Sequence, residues 1–200
     1  MAATAEEVKK LREETGAGML DCKKALDESG GDLEKARDLL RKKGLAAAAK
    51  RADRVASEGM IASYVHPGSK VGVLVDVRCE TDFVARTDDF QRLGKALAMQ
   101  IAVAKPKYLK REEVPAEVVE RESAIYRDQA AASGKPAPVV EKIVSGKIEK
   151  FYAEICLLEQ EFMISPESDA KTVKDFVTEI AAKIGEKVEV RRFARMELGE

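Results

Sequence analysis

Val71-Gly-Val-Leu-Val-Asp-Val-Arg-Cys79 alternates without a break: Val71, Val73, Val75, Val77 and Cys79 fall on one side, Gly72, Leu74, Asp76 and Arg78 on the other. A repeat of two is that of a strand with one buried face. Just upstream, Met60, Ala62 and Tyr64 alternate with Ile61, Ser63 and Val65, and Pro67-Gly68-Ser69 supplies the turn between the two runs. Together they predict a β-hairpin.

Outside the hairpin the apolar period is helical. Thr4, with Glu7 three residues on, forms a capping-box pattern ahead of Val8 and Leu11. Gly16 and Gly18 stop that helix. A second helix carries Met19, Cys22 and Leu26 and ends at Ser29-Gly30-Gly31. Asp32 caps a third, with Leu33, Ala36, Leu39 and Leu40 inward, closing at Lys42, Lys43 and Gly44. Ala46 to Arg54 reads as a basic helical connector.

Beyond the hairpin, Leu93, Leu97, Gln100 and Ile101 mark a helix from Phe90 to Val103, ended by Pro106. Lys105 to Pro115 is a charged loop. A helix from Pro115 to Ala132 breaks at Ser133-Gly134-Lys135-Pro136. A long helix from Pro138 then keeps Val140, Val144, Ile148, Phe151, Ile155 and Leu158 in one stripe, and Ser165-Pro166 closes the region. Val173, Phe176, Val177, Ile180 and Ile184 mark a last helix stopped by Gly185. The segment from Val188 to Met196 is a strand whose three arginines make it exposed or partner-facing. The expected class is α+β, with an antiparallel sheet.

Composition narrows the function. In 200 residues, 35 basic and 36 acidic side chains leave a net charge of −1, without the cationic excess of a general nucleic-acid binder. Cys22, Cys79 and Cys156 are scattered and suit reduced thiols. The first residues carry acids where a signal peptide needs an apolar run, and no stretch approaches a membrane span, so the expected setting is soluble and intracellular. His66 is the only histidine, which leaves no zinc cluster and little scope for a Cys–His nucleophile. There is no GxxxxGK[ST] loop, and Gly16-Ala17-Gly18 follows a helix where a dinucleotide fingerprint needs a strand. No cofactor is expected, and binding is a better class than catalysis.

Two segments look placed for contact. In Thr15-Gly-Ala-Gly-Met-Leu20, neighbouring helix positions differ by about 100°, so Met19 and Leu20 cannot share one narrow core stripe. Either one of them points outward or both seal a small bundle. In Glu80-Thr-Asp-Phe-Val-Ala-Arg-Thr-Asp88, directly after the regular strand, Asp82 and Phe83 put a carboxylate and a rigid apolar wedge at the strand's end. The competing reading has Phe83 capping the core while Asp82 or Thr87 caps the next helix.

Leu11-Arg-Glu-Glu-Thr-Gly-Ala-Gly-Met-Leu-Asp-Cys-Lys-Lys-Ala-Leu26 resembles the N-terminal signature of the bacterial translation elongation factor Ts family, and Cys79-Glu-Thr-Asp-Phe-Val-Ala-Arg86 its second signature. Gly134-Lys-Pro136, the helix after it and the closing Arg191-Arg-Phe-Ala-Arg-Met-Glu-Leu-Gly199 are also similar, so the resemblance covers essentially the whole chain. Leu20 stands where the family often has a second Met, a swap of modest cost. The length resembles the family's short form, with a single core unit and no inserted coiled-coil arm. The resemblance implies a ubiquitin-associated-like three-helix domain with a basic linker over 1–54, and an α+β core over 55–200.

It further implies a cytoplasmic guanine-nucleotide exchange factor for elongation factor Tu, without chemistry of its own. In that family the N-terminal domain grips the GTPase, here through Leu11, Met19 and Leu20. The segment acting near the partner's magnesium would be Thr81, Asp82, Phe83 and Val84. A homodimer through the C-terminal sheet is a further implied possibility. Two other readings stay open: a non-catalytic adaptor whose three-helix domain holds a partner helix, and an RNA binder using Arg41, Lys42, Lys43, Lys50, Arg51 and Arg54, which lacks interleaved aromatics.

Overall fold

The computed structural model describes residues 3–132, 136–164, 168 and 170–199. The breaks expected at Ser133–Lys135 and at Ser165-Pro166 lie outside them. Helices α1 (Ala5–Thr15), α2 (Met19–Glu28) and α3 (Leu33–Lys50) precede strands β1 (Glu58–Val65) and β2 (Val71–Cys79). Then come α4 (Asp82–Ala85), α5 (Asp88–Ala104), α6 (Ala116–Ala131), α7 (Ala137–Ile155), α8 (Val173–Ile184) and β3 (Glu189–Glu197). The sheet is antiparallel with strand order β1-β2-β3, so β2 is central. Two compact units emerge, one of residues 1–61, 77–93 and 175–189, the other of 62–76, 94–174 and 190–200.

In the first unit, Thr4 and Glu7 form the expected capping box, and Gly16 closes α1 at φ 64°. Asp32 accepts from the backbone N–H groups of Glu34 and Lys35, capping α3. Val8, Leu11, Cys22, Ala25, Leu26 and Ala36 make the bundle core, with Leu33, Leu39 and Leu40 packed against it. The third helix does not stop at Gly44 as expected; it runs on to Lys50. The alanines after Gly44 favour helix, and a Cβ at Gly44 would lie 3.3 Å from Ala182, so close approach of α8 explains the glycine better than a helix end does.

The unit also contains the close crossing of Gly59 and Val77. Gly59 adopts φ 145°, and a Cβ there would fall 2.1 Å from the Val77 carbonyl. Only glycine fits that approach.

In the second unit, Leu97 and Ile101 of α5 are fully buried, as the periodicity requires. Gln100 is buried with them and satisfied on both sides. Its amide donates to the Glu161 carbonyl (3.0 Å), and its oxygen accepts from the Met163 N–H (3.2 Å). Such pairing is what keeps a buried amide affordable in energy terms. Helices α6 and α7 pair with each other through Ala130, Val140 and Val144 near one end and Val114, Ile155 and Cys156 near the other. Arg127 with Glu141 (2.8 Å) bridges the pair on its surface. Leu158 does not extend the α7 stripe: the helix ends at Ile155, and Leu158 sits in a 3-10 turn after extended Cys156.

Of the β3 arginines, Arg191 and Arg192 are exposed, as expected, and Arg195 is not. Arg195 is almost fully covered and donates to the Ala102 carbonyl (3.4 Å) and to Glu197 (2.6 Å). Arg192 faces the buried carboxylate of Asp76 at 3.5 Å.

Candidate functional site

The second signature begins where β2 ends. Thr81 is the N-cap of the one-turn helix α4, its Oγ1 accepting from the Val84 N–H at 3.3 Å. The strand-to-helix corner is then clasped from a distant part of the sequence. Glu186 Oε2 accepts from the backbone N–H groups of Glu80 (3.0 Å) and Thr81 (3.1 Å), and its Oε1 accepts from the Thr81 hydroxyl (2.7 Å). In return, Glu80 accepts from the Lys187 N–H at 2.6 Å. That backbone donor, with the Arg54 guanidinium, holds the Glu80 carboxyl below its usual range. Lys187 Nζ reaches the carbonyls of Ala52 (2.8 Å) and Arg54 (3.0 Å). Cys79 is buried beneath this corner and its thiol is pushed up to about 11, by burial first and by the nearby Glu186 charge second.

On this clasped corner the four residues of the signature diverge. Phe83 leaves 77% of its surface open. It does not cap the core. Thr87 does cap α5, as the competing reading had it, accepting from the Phe90 N–H at 3.4 Å. Asp82 is exposed and pairs with exposed Arg86, one turn along (2.9 Å). A pair of this kind contributes about 0.3–0.5 kcal/mol, so Asp82 is easily redirected. Val84 is buried and belongs to the core that carries the turn. Among the four, the outward chemistry rests on Asp82 and Phe83, since the Thr81 hydroxyl is taken up by Glu186 and the Val84 N–H.

The first signature divides in the same way. Leu11 is wholly buried between α1 and α2 and offers no surface to a partner. Its expected contact role is corrected to support of the bundle. Met19 and Leu20 are open by 56% and 74%, so neither seals the core. The inward face of α2 starts at Cys22, one turn later, and Gly18 caps the helix without a side chain to shield the pair. Gly16 fixes the turn before them. Its φ of 64° suits glycine, and a Cβ would meet the Lys183 stem at 2.8 Å. Lys183 Nζ in turn bonds Asp89 at 2.7 Å, directly after the second signature.

Thus both exposed features lie in the first unit. The residues that tie them, Lys183, Glu186 and Lys187, escaped the sequence reading. Each bonds a residue about a hundred positions away, and the one local hint was the left-handed Gly185 beside Glu186. Among the described residues no group of His, Cys, Asp and Glu could hold a metal ion. What the site offers is an aromatic wedge on a braced corner and an apolar pair on a glycine-set turn.

A family model described as "Elongation factor TS" matches residues 22–171. Elongation factor Ts of Carboxydothermus hydrogenoformans is 58% identical over 197 residues, covering 98% of this chain and 89% of that protein. Its counterpart in Geobacter sulfurreducens is 59% identical over 200 residues, covering 100% and 91%. The Desulforamulus reducens protein is 60% identical over 197 residues, covering 98% and 89%.

Proposed function

This chain belongs to the elongation factor Ts family and so serves translation elongation as the guanine-nucleotide exchange factor of elongation factor Tu; we propose that it does so by pressing Phe83 into the partner beside its magnesium site while Met19 and Leu20 hold the GTPase domain. The observation that carries this reading is the exposure of Phe83 on a corner braced by Glu186. A large apolar ring left in water gains free energy by entering a pocket, and a braced backbone directs that gain onto the partner. Mg²⁺ requires near-ideal octahedral geometry and links nucleotide phosphates to the GTPase, so a small displacement of its neighbours costs much affinity. Asp82, weakly held by Arg86, repositions groups near the ion and is not itself a metal ligand.

Linkage makes the effect mutual: a factor that weakens GDP binding is itself bound more weakly by the GDP complex, in the same ratio. A coupling of about 4 kcal/mol corresponds to about a thousandfold. The factor needs no preference between GDP and GTP and performs no covalent step.

The remaining parts of the proposal are coarser. Residues 1–54 act as the gripping domain with its basic linker, and 55–200 as the α+β core. The cytoplasm is the proposed compartment; no described helix is long and apolar enough to cross a membrane. Direct nucleic-acid binding is not proposed, and the pairing of Arg41 with Asp175, Lys43 with Glu28 and Arg54 with Glu80 supports that reading. Exposed Met196 and Leu198 near the edge strand β3 support a second copy pairing there.

The test is stopped-flow release of a fluorescent GDP analogue from elongation factor Tu with the wild-type chain and with Phe83→Ala. The variant should still bind and lose most of the acceleration. Full acceleration by Phe83→Ala would remove the wedge.

A further inference from the structure

We infer that Glu186 is a positioning residue for nucleotide exchange, the group that holds the Thr81–Val84 corner stiff enough for Phe83 to act as a wedge. The inference rests on the proposed role of Phe83. One carboxylate meets three donors of the corner, the N–H groups of Glu80 and Thr81 and the Thr81 hydroxyl, at 3.0, 3.1 and 2.7 Å. The Thr81 oxygen then accepts from the Val84 N–H, so the chain of bonds runs from Glu186 to the residue just after Phe83. Hydrogen bonds to an ionised acceptor are about twice as strong as neutral ones.

Glu186 is itself fixed on both sides. Gly185 before it takes φ 84° at the end of α8, and Lys187 after it is bonded to Glu80, Ala52 and Arg54. The clasp is therefore reciprocal: Glu186 takes the backbone donors of Glu80 and Thr81, while Glu80 takes the backbone donor of Lys187. A wedge on a yielding turn would fold back on contact. On a clasped turn, the same contact displaces the partner's groups.

Glu186→Gln keeps the shape but removes the charge: its oxygen still reaches the two N–H groups, while its NH₂ faces the Thr81 hydroxyl, which must turn from donor to acceptor, so the clasp weakens. Glu186→Asp keeps the charge and shortens the reach. Both are compared with wild type, Phe83→Ala, the double variant Glu186→Gln/Phe83→Ala, and Glu120→Gln as a matched charge change on an exposed face of α6. Release of the fluorescent GDP analogue from elongation factor Tu is followed at increasing concentrations of each. Glu186→Gln should lower the maximal rate about tenfold with half-saturation unchanged within about twofold, since the loss falls on the displacing step and not on binding. Glu186→Asp should fall between it and wild type, and Glu120→Gln should match wild type. Amide hydrogen exchange at Thr81 and Val84 should quicken in Glu186→Gln.

In the double variant the rate should equal that of Phe83→Ala alone, because without the wedge there is nothing to position. A wild-type maximal rate in Glu186→Gln overturns the inference. So does an undiminished effect of Glu186→Gln in the Phe83→Ala background. If Glu186→Gln unfolds, Glu186→Asp carries the same comparison, and a wild-type rate there overturns it too. A wild-type rate in Phe83→Ala would overturn the wedge instead, which separates the two failures.

Discussion

Leu11 and Leu20 are both leucines of the first signature, and the structure assigns them opposite duties. Leu11→Ala removes a fully buried side chain from the cluster of Val8, Cys22, Ala25, Leu26 and Ala36. A buried Leu→Ala change costs about 2–5 kcal/mol, from lost transfer energy and the cavity left behind. A helical bundle of this size holds only a few kcal/mol in its core, so the loss is enough to melt it. Leu20→Ala should leave stability within about 0.5 kcal/mol, because 74% of the side chain is already in water. Burying a leucine fully is worth about 1.5–3 kcal/mol, so sealing its open three quarters against a partner supplies about 1–2 kcal/mol. That corresponds to about a five- to thirtyfold rise in the half-saturating concentration for GDP release from elongation factor Tu. Urea melts followed by helical circular dichroism read the first effect, and titration of the release rate reads the second. Leu11→Ala with an unchanged melt and weakened binding would refute the division of labour, as would Leu20→Ala with wild-type half-saturation.

Three further outcomes are expected. Gly59→Ala should cost several kcal/mol or block folding, since its Cβ would lie 2.1 Å from the Val77 carbonyl; thermal melting of the variant checks this, and Gly72→Ala, where a Cβ meets nothing, is the comparison. Lys105 and Arg195 hold the Glu197 carboxyl down at about 2; the stabilisation is present above the ordinary carboxylate range and lost as pH falls towards 2, so Glu197→Gln should flatten the melting temperature's dependence on pH in that window. Burial pushes the thiols of Cys79 and Cys156 up to about 11, so neither should react with a thiol-specific disulfide reagent at mildly alkaline pH until denaturant is added.

The hairpin, the capping box at Thr4 and the ends of most helices were legible in the sequence because each depends on neighbours a few residues apart. Val71 to Cys79 needs nothing beyond its own alternation. Readings failed where a distant element decided the matter. Gly44 answers the close approach of Ala182 and not a helix end. Arg195 lies against the Ala102 carbonyl when its strand reads as exposed.

The site divides on the same line. Phe83 and Leu20 were identifiable as apolar residues next to turns. Their real exposure, and the burial of Leu11 and Val84, depend on how the helices pack. Glu186 carried no signal beyond Gly185 before it, since a glutamate after a helix-ending glycine is ordinary until Glu80 and Thr81 are brought to it.

The central claim is that this chain speeds the loss of guanine nucleotide from elongation factor Tu. The direct measurement is the release rate of a fluorescent GDP analogue from that protein in the presence of excess unlabelled nucleotide, with increasing amounts of the full chain. The account predicts a large acceleration that saturates, with the same maximum whether GDP or GTP is the competitor. A release rate that stays at its intrinsic value up to saturating chain would contradict it.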